Sequence, residues 1–219
     1  MRQDYVDISI LLDGSGSMQS LRHDTIGGFN RFLEEQKKLP VHVAFTLVVF
    51  NHDYHLVYGG IPIKAAAPLT DQNYCPGGTT ALLDAVGRLI DETGERLKAM
   101  PENERPGKVL FVIITDGQEN TSRRFCRQEI FDRINRQQET YKWDFVFMGA
   151  NQDSFAEAGA LGLRAGNVIN CAATAKGVCN QYDMLAWKTY PYAISSPMPA
   201  GFFGGQTHAD EIDKKKVQA

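Results

Sequence analysis

Apolar runs alternate with amphipathic stretches along most of the chain. Runs at 6–12, 41–50, 54–63, 108–115, 143–148 and 168–170 have the length and composition of strands. Apolar residues recur at helical spacing in about 26–38, 80–100, 127–139, 155–161 and 176–190, and these stretches predict helices. Strand and helix therefore follow one another repeatedly, which is typical of α/β domains.

The predicted fold is a doubly wound α/β domain with a mostly parallel sheet and helices on both faces. The tight turn Asn51-His52-Asp53 joins two of the strands, so we expect one antiparallel hairpin at a sheet edge. A chain of 219 residues fits one such domain, which we place at 1–194. Proline and glycine interrupt the sequence from Ser195 onward, so 195–219 is predicted to be a flexible tail that Phe202 and Phe203 pin to the body.

Polar side chains follow two of the most apolar strands. Asp13, Ser15 and Ser17 alternate with glycines after the first strand, and Asp116 follows the strand that ends at Thr115. In an open α/β sheet, ligands bind beyond the carboxyl ends of the strands. Hard oxygen donors at this spacing suit Mg²⁺, Mn²⁺ or Ca²⁺ and do not suit zinc.

Three motifs in this order carry a family resemblance. Asp-x-Ser-x-Ser at 13–17, the glycine turn 76–80 before a helix, and Thr-Asp-Gly at 115–117 closing an apolar strand resemble the von Willebrand factor A (VWA) family. The likeness covers roughly residues 4 to 190 and implies a Rossmann-like fold with a metal-ion-dependent adhesion site. The ligands it implies are Asp13, Ser15, Ser17, one of Thr79 or Thr80, and Asp116. Thr80 is preferred, because the run Thr-Ala-Leu-Leu-Asp-Ala that begins there resembles bacterial members.

This donor set predicts an ion that still seeks a ligand. Serine and threonine hydroxyls are neutral, so only the two carboxylates neutralise the charge of a divalent cation. One coordination position of the cation stays open. In the family that the chain resembles, an Asp or Glu of a protein partner fills this position. The resemblance therefore implies a non-catalytic interaction module, and no activated nucleophile or histidine base is evident in the motifs.

Rival interpretations of the same residues are weaker. An EF-hand loop starting at Asp13 would have Met18 where glycine is required, and the Gly-x-Ser-x-Gly elbow of hydrolases is out of register here. A Mg²⁺-dependent phosphohydrolase with Asp13 as its nucleophile stays open as the alternative function.

Each of several nearby residues has a functional and an ordinary interpretation. Glu119 either tunes the ion or is simply solvated, and Asp84 is a candidate for bonding the metal loops from the following helix. Cys75 is either a redox handle or an ordinary thiol. The remaining candidates are Arg123 and Arg124 for steering an acidic partner, and His42, His52 and His55 for zinc.

Composition narrows the class of partner. The net charge is −3 and no basic stripe is present, so nucleic-acid binding has little support. No apolar signal segment or membrane span is visible, and the four cysteines are scattered as in reduced proteins. We therefore expect a cytoplasmic module of the bacterial or phage type that the resemblance suggests. The sequence makes no prediction of oligomeric state.

Overall fold

The computed structural model describes residues 1–150, 154–194 and 201–203. Its elements are β1 Arg2–Asp13, α1 Arg22–Gln36, β2 His42–Phe50, β3 Tyr54–Pro62, α2 Leu82–Lys98, β4 Pro106–Thr115, α3 Arg127–Thr140, β5 Asp144–Gly149, α4 Ser154–Ala160, β6 Val168–Asn170 and α5 Ala175–Ile194. The predicted strands and helices are all present. Helix α1 begins earlier than its apolar periodicity indicates, because a 3₁₀ turn, Gly16–Leu21, leads directly into it.

The strands form one six-stranded sheet in the order β3-β2-β1-β4-β5-β6. Only β2 and β3 pair antiparallel among the described strands, and the remaining pairs are parallel. This confirms the predicted fold class, including the antiparallel hairpin at one edge. The chain proceeds to one side of β1 through β2 and β3 and to the other through β4. The strand order therefore reverses between β1 and β4. Open α/β sheets bind ligands at such a point, beyond the carboxyl ends of the strands.

Helices cover both faces of the sheet. The side chains of Val6, Ile8 and Ile10 in β1 point into the core beneath α1 and α5, whereas Leu11 points into the core beneath α2, α3 and α4. A strand that is buried on both faces is apolar at nearly every position, because neither set of alternate side chains meets water. This explains the nearly continuous apolar runs of the central strands.

A buried ion pair interrupts this apolar pattern in β1. Asp7 is fully buried, and the Nη1 and Nη2 atoms of Arg96 in α2 lie 2.7 and 3.1 Å from its carboxylate oxygens. The hydroxyl of Ser9 donates a hydrogen bond to Asp7 Oδ1 at 3.3 Å. Gly60 in β3 has a φ of +67° and lies against the Arg96 side chain, where a Cβ atom would come within 2.9 Å of Arg96 Cδ. The pair therefore joins β1 and α2 beneath the edge strand β3.

Phe202 and Phe203 are both buried, as their apolar character in a polar segment predicts. The backbone N–H of Phe202 donates to Asn167 Oδ1 at 2.7 Å, and that of Phe203 donates to the Gly166 carbonyl at 2.9 Å. The Phe202 ring lies 5.8 Å from the Tyr192 ring of α5. The rest of the predicted tail, 195–200 and 204–219, lies outside the described residues, so the boundary at 194 stays a prediction.

Within the part of the chain that the structure describes, no helix has the length and apolarity to cross a membrane.

We expect Phe202→Ala to lower the free energy of unfolding by about 3–5 kcal/mol, because it empties a buried aromatic site. Phe155→Ala is the matched control, since Phe155 is 51 % exposed in α4. Urea denaturation of both variants measures the difference. Equal and small losses would show that the Phe202 contact does not stabilise the domain.

Candidate metal centre

The two predicted acidic ligands emerge at the same edge of the sheet. Asp13 is the last residue of β1, and Asp116 directly follows the last residue of β4. The strands are parallel neighbours, with Leu12 beside Ile114. Both carboxylates therefore lie at the carboxyl ends of adjacent parallel strands, at the point where the strand order reverses.

Hydroxyl groups fill the space between these carboxylates. The backbone N–H of Ser15 donates to Asp13 Oδ1 at 2.7 Å. The hydroxyl oxygens of Ser15 and Ser17 lie 3.0 Å apart, and Ser17 Oγ donates to Asp116 Oδ1 at 2.6 Å. The loop after β1 thus forms a continuous polar path from one carboxylate to the other.

Gly117 shows where the oxygens converge. A Cβ atom built on Gly117 would lie 3.0 Å from Thr80 Oγ1, 3.3 Å from Asp13 Oδ2 and 3.4 Å from Ser17 Oγ. Three side-chain oxygens, two from the loop after β1 and one from the glycine turn, therefore lie within 3.4 Å of one point beside Gly117. Thr80 is buried here whereas Thr79 is exposed, which favours Thr80 as the threonine of the site. A side chain at position 117 would press on these oxygens, which would have to move by a few tenths of an ångström to admit it.

Backbone hydrogen bonds hold the glycine turn against the β1 loop. The N–H of Gly77 donates to the Gly14 carbonyl at 2.8 Å, and the N–H of Gly16 donates to the Gly78 carbonyl at 3.0 Å. Gly78 has a φ of +79°, a conformation that few other residues adopt. The position of Thr80 relative to Asp13 is therefore set by main-chain contacts.

Asn120 joins the third loop to the same assembly. Its Oδ1 accepts a hydrogen bond from the Thr80 N–H at 3.0 Å, and its own N–H donates to the Thr80 carbonyl at 3.1 Å. These two bonds hold the loop after β4 against Thr80, just before α2 begins.

Tyr74 supports the site from below, and the sequence motifs do not predict it. Its ring is fully buried, and its hydroxyl donates to the backbone carbonyl of Asp13 at 2.7 Å. Arg22, the first residue of α1, in turn donates from Nε to the Tyr74 carbonyl at 3.0 Å. The only sequence signal is an aromatic residue just before the glycine turn, which does not reveal a contact with the end of β1.

The electrostatics of the site favour a cation. Burial raises the pKa of the Asp13 carboxyl, although hydrogen bonds from Thr115 Oγ1, at 2.5 Å, and from Ser15 lower it. Burial likewise raises the pKa of Asp116, against a hydrogen bond from Ser17. No Lys, Arg or His is among the groups that shift the pKa of Asp13. A divalent cation would offset both charges, and the carboxylate and hydroxyl oxygens are the donors that hard cations prefer.

Glu119 organises the loop after β4. Its carboxylate accepts hydrogen bonds from the backbone N–H groups of Leu83, Thr121 and Ser122, and from the Ser122 hydroxyl. It therefore satisfies an N-terminal amide of α2 and folds its own loop. Plain solvation therefore does not describe Glu119, and the tuning of an ion by this residue stays a prediction.

Asp84 holds the next part of this loop. Its carboxylate accepts hydrogen bonds from the backbone N–H groups of Arg123, Arg124 and Phe125 at 2.8 to 3.0 Å. This agrees with the expectation that Asp84 bonds the metal loops from the helix after Thr80.

The zinc hypothesis for the hairpin histidines finds no support. Over 1–150, 154–194 and 201–203, no group of three or more His, Cys, Asp or Glu residues is placed to hold a metal. Hydroxyl oxygens are therefore essential to any site at Asp13 and Asp116. Cys75, Cys126, Cys171 and Cys179 are all free, as expected for reduced thiols.

Comparison with solved structures identifies the fold. The chain is similar to a mussel byssus protein, proximal thread matrix protein 1 "with zinc occupied MIDAS motif" (metal-ion-dependent adhesion site), with a TM-score of 0.61, 14% identity, and coverage of 83% of this chain and 47% of that one. It is similar to a von Willebrand factor type A protein from Catenulispora acidiphila, with a TM-score of 0.55, 15% identity, and coverage of 85% and 42%. It is also similar to manganese-loaded TRAP from Plasmodium vivax, with a TM-score of 0.54, 15% identity, and coverage of 83% and 71%.

The chain therefore has the VWA fold, and it spans about half the length of the mussel protein. No family model and no curated protein matches the sequence. The mussel structure has zinc in its MIDAS motif, and the Plasmodium structure is manganese-loaded.

We expect Tyr74→Phe to weaken divalent-cation affinity about fivefold, because it removes a hydrogen bond of about 1 kcal/mol that positions Asp13. Tyr58→Phe is a matched control, since Tyr58 also donates to a carbonyl, that of Ala67, at 3.0 Å but on β3. Calorimetric titration measures both. Equal affinities in the two variants would show that Tyr74 does not position the site.

The raised pKa values of Asp13 and Asp116 predict opposite pH effects with and without metal. Because the pKa of each group is higher in the folded state than in the unfolded state, protonation favours folding. Without metal, the contribution of these groups to stability should rise as the pH falls through their folded-state pKa values. With metal, protons compete with the ion, and the stabilisation by metal should fall over the same range.

Melting temperatures of wild type and Asp13→Asn, measured against pH with EDTA and with Mg²⁺, test this. The variant should be at least as stable as wild type in EDTA at neutral pH and should gain nothing from Mg²⁺. Asp132→Asn, at an exposed position in α3, should behave like wild type. An equal Mg²⁺ response in Asp13→Asn contradicts the assignment of Asp13 as a ligand.

Proposed function

We propose that this VWA-fold chain is a protein-interaction module that binds a divalent cation and recognises a partner carboxylate through it. The observation that carries the proposal is the convergence of Thr80 Oγ1, Asp13 Oδ2 and Ser17 Oγ on one point beside Gly117. Ser15 and Asp116 adjoin the same group through Ser17. The full ligand set proposed is Asp13, Ser15, Ser17, Thr80 and Asp116.

The charge balance explains why such an ion would bind an outside anion. Two carboxylates neutralise a divalent cation, and three neutral hydroxyls add no further negative charge. The bound ion would therefore keep enough positive field to attract another oxygen. An Asp or Glu of a protein partner supplies both an oxygen and the charge. We propose Mg²⁺ as the resident ion, with Mn²⁺ or Ca²⁺ as substitutes, since all donors are hard oxygens.

The geometry favours binding over catalysis. Asp13, the proposed nucleophile of the alternative phosphohydrolase, is fully buried. Its Oδ1 accepts a hydrogen bond from the Ser15 N–H, and its Oδ2 accepts one from Thr115 Oγ1. Each oxygen keeps a lone pair for an ion, so it is the burial of Asp13, and not these bonds, that disfavours attack on a phosphate. Turnover of phosphate esters in the presence of Mg²⁺ or Mn²⁺ would favour the alternative.

We further propose that the module acts in the cytoplasm of a bacterial or phage-infected cell. The four free cysteines support a reducing compartment. The proposed partner is a protein, with no role for nucleic acid or membrane.

We expect Thr80→Ala to weaken divalent-cation and partner binding, because it deletes one oxygen of the converging group. Thr79→Ala is the matched control, since its side chain is exposed one residue away. Asp13→Ala and Asp116→Ala should reduce cation affinity most, since each removes a negative charge that neutralises the ion. Titration calorimetry with Mg²⁺, Mn²⁺, Ca²⁺ and Zn²⁺ measures the affinities and identifies the preferred ion.

A pull-down from cell extract, with and without EDTA and read by mass spectrometry, measures partner binding by the same variants. A partner should be captured by wild type and Thr79→Ala, and lost with EDTA or Asp13→Ala. Cation affinity that is unchanged in both Asp13→Ala and Asp116→Ala would falsify the site. Capture that is indifferent to EDTA would instead contradict the role of the ion in recognition.

A further inference from the structure

Two arginines in the loop after β4 have no part in the metal centre described above. Arg123 and Arg124 are both exposed, and neither guanidinium forms an ion pair with a carboxylate in the part of the chain that the structure describes. Three arginines of α2 and α3 are occupied instead, in the ion pairs Arg88–Glu92, Arg127–Glu157 and Arg133–Asp91. The charges of Arg123 and Arg124 are therefore available to a partner.

The backbone that carries these arginines is held by hydrogen bonds. The Arg123 N–H donates to the Asp84 carboxylate at 2.9 Å, and the Arg124 N–H does so at 2.8 Å. A third bond, from the Phe125 N–H, reaches the same carboxylate at 3.0 Å. Glu119 is likewise directed at backbone N–H groups. The two carboxylates nearest in this loop assembly therefore bond the backbone and leave the guanidinium groups to the solvent.

This arginine segment lies close to the candidate metal centre. Asn120 bonds Thr80 through both its backbone and its side chain. Arg123 follows Asn120 by three residues and Arg124 by four, so their Cα atoms lie at most about 11 and about 14 Å from that of Asn120. Asp84 adds a second link, since it stands in the first turn of α2, which begins just after Thr80. A partner chain that reaches the metal centre therefore passes near both arginines.

We propose that the partner presents an acidic segment, of which one carboxylate binds the ion and a second binds Arg123 or Arg124. This inference rests on the proposed function, and it adds the number and the spacing of the acidic residues. Alternate residues of an extended peptide share one face, so residues two and four positions apart are separated by about 7 and about 14 Å. These separations match the distance from the metal centre to the arginines. A guanidinium also suits a carboxylate, because the two can form paired hydrogen bonds.

Binding of two synthetic peptides in the presence of Mg²⁺, measured by NMR titration, tests the proposal. Both are glycine peptides with blocked ends; one carries a single aspartate, and the other carries a second aspartate four positions further on. We expect wild type to bind the two-aspartate peptide about tenfold more tightly, which is the effect of one hydrogen bond to a charged group. The double variant Arg123→Gln/Arg124→Gln should bind both peptides with affinities within about twofold of each other, because it lacks the second carboxylate site.

Arg136→Gln is the matched control. Arg136 is also exposed and has no ion pair with any residue that the structure describes, but it lies in α3. This variant should keep the tenfold preference for two aspartates. In wild type the preference should weaken as NaCl is added, because salt screens exposed charges. An equal preference in wild type and in Arg123→Gln/Arg124→Gln overturns the proposal.

Failure of the proposed function gives a different result from failure of this inference. If the ion does not mediate recognition, the one-aspartate peptide binds equally well with EDTA or to Asp13→Ala. If the ion mediates recognition but the arginines do not contribute, EDTA abolishes binding while the arginine variant keeps the preference for two aspartates. The absence of binding of either peptide to wild type with Mg²⁺ would overturn both.

Discussion

The structure depends on two neighbouring carboxylates at the ends of adjacent parallel strands, of which Asp13 is fully buried and Asp116 is partly buried. Burial of a carboxylate is unfavourable unless hydrogen bonds or a counter-charge compensate it. Here hydrogen bonds from Ser15 and Thr115 reach Asp13, and one from Ser17 reaches Asp116. They offset burial only in part, since the pKa of both groups stays raised. The site is therefore arranged around two carboxylates whose burial these hydrogen bonds compensate only in part.

Such a group of oxygens persists only if the loops that carry it cannot relax apart. Three loops, at 13–17, 76–80 and 116–120, are joined mainly through backbone groups, as in the bonds of Gly77 with Gly14 and of the Asn120 N–H with the Thr80 carbonyl. Tyr74 and Glu119 add bonds from buried or part-buried side chains to backbone atoms. Because the cross-links use the main chain, the ligand oxygens are held in place before any ion arrives, which is the usual basis of a preorganised site.

Local pattern predicts the fold and the acidic ligands, because strand ends and glycine loops are visible in a single stretch of sequence. It does not predict the ion pair of Asp7, which stands within an apolar run while its partner Arg96 is 89 residues away. Tyr74 and Asp13 are 61 residues apart, and their contact has no local signature. The contacts of Glu119 likewise have no local signature, so the sequence around it is that of an ordinary loop. Phe202 and Phe203 are recognisable, because a pair of large apolar residues in a glycine-rich segment is typical of a contact with the core.

The Phe202–Phe203 anchor also determines how the domain would transmit mechanical load. It docks beside Gly166 and Asn167, just before β6 begins. It therefore lies at the amino ends of the parallel strands, where β1 also begins at Arg2, and the candidate metal centre lies at their carboxyl ends. Tension between a molecule held at the metal centre and the chain beyond Phe203 would therefore run along the strands. The interstrand hydrogen bonds would then be sheared together, which resists extension better than opening them one at a time.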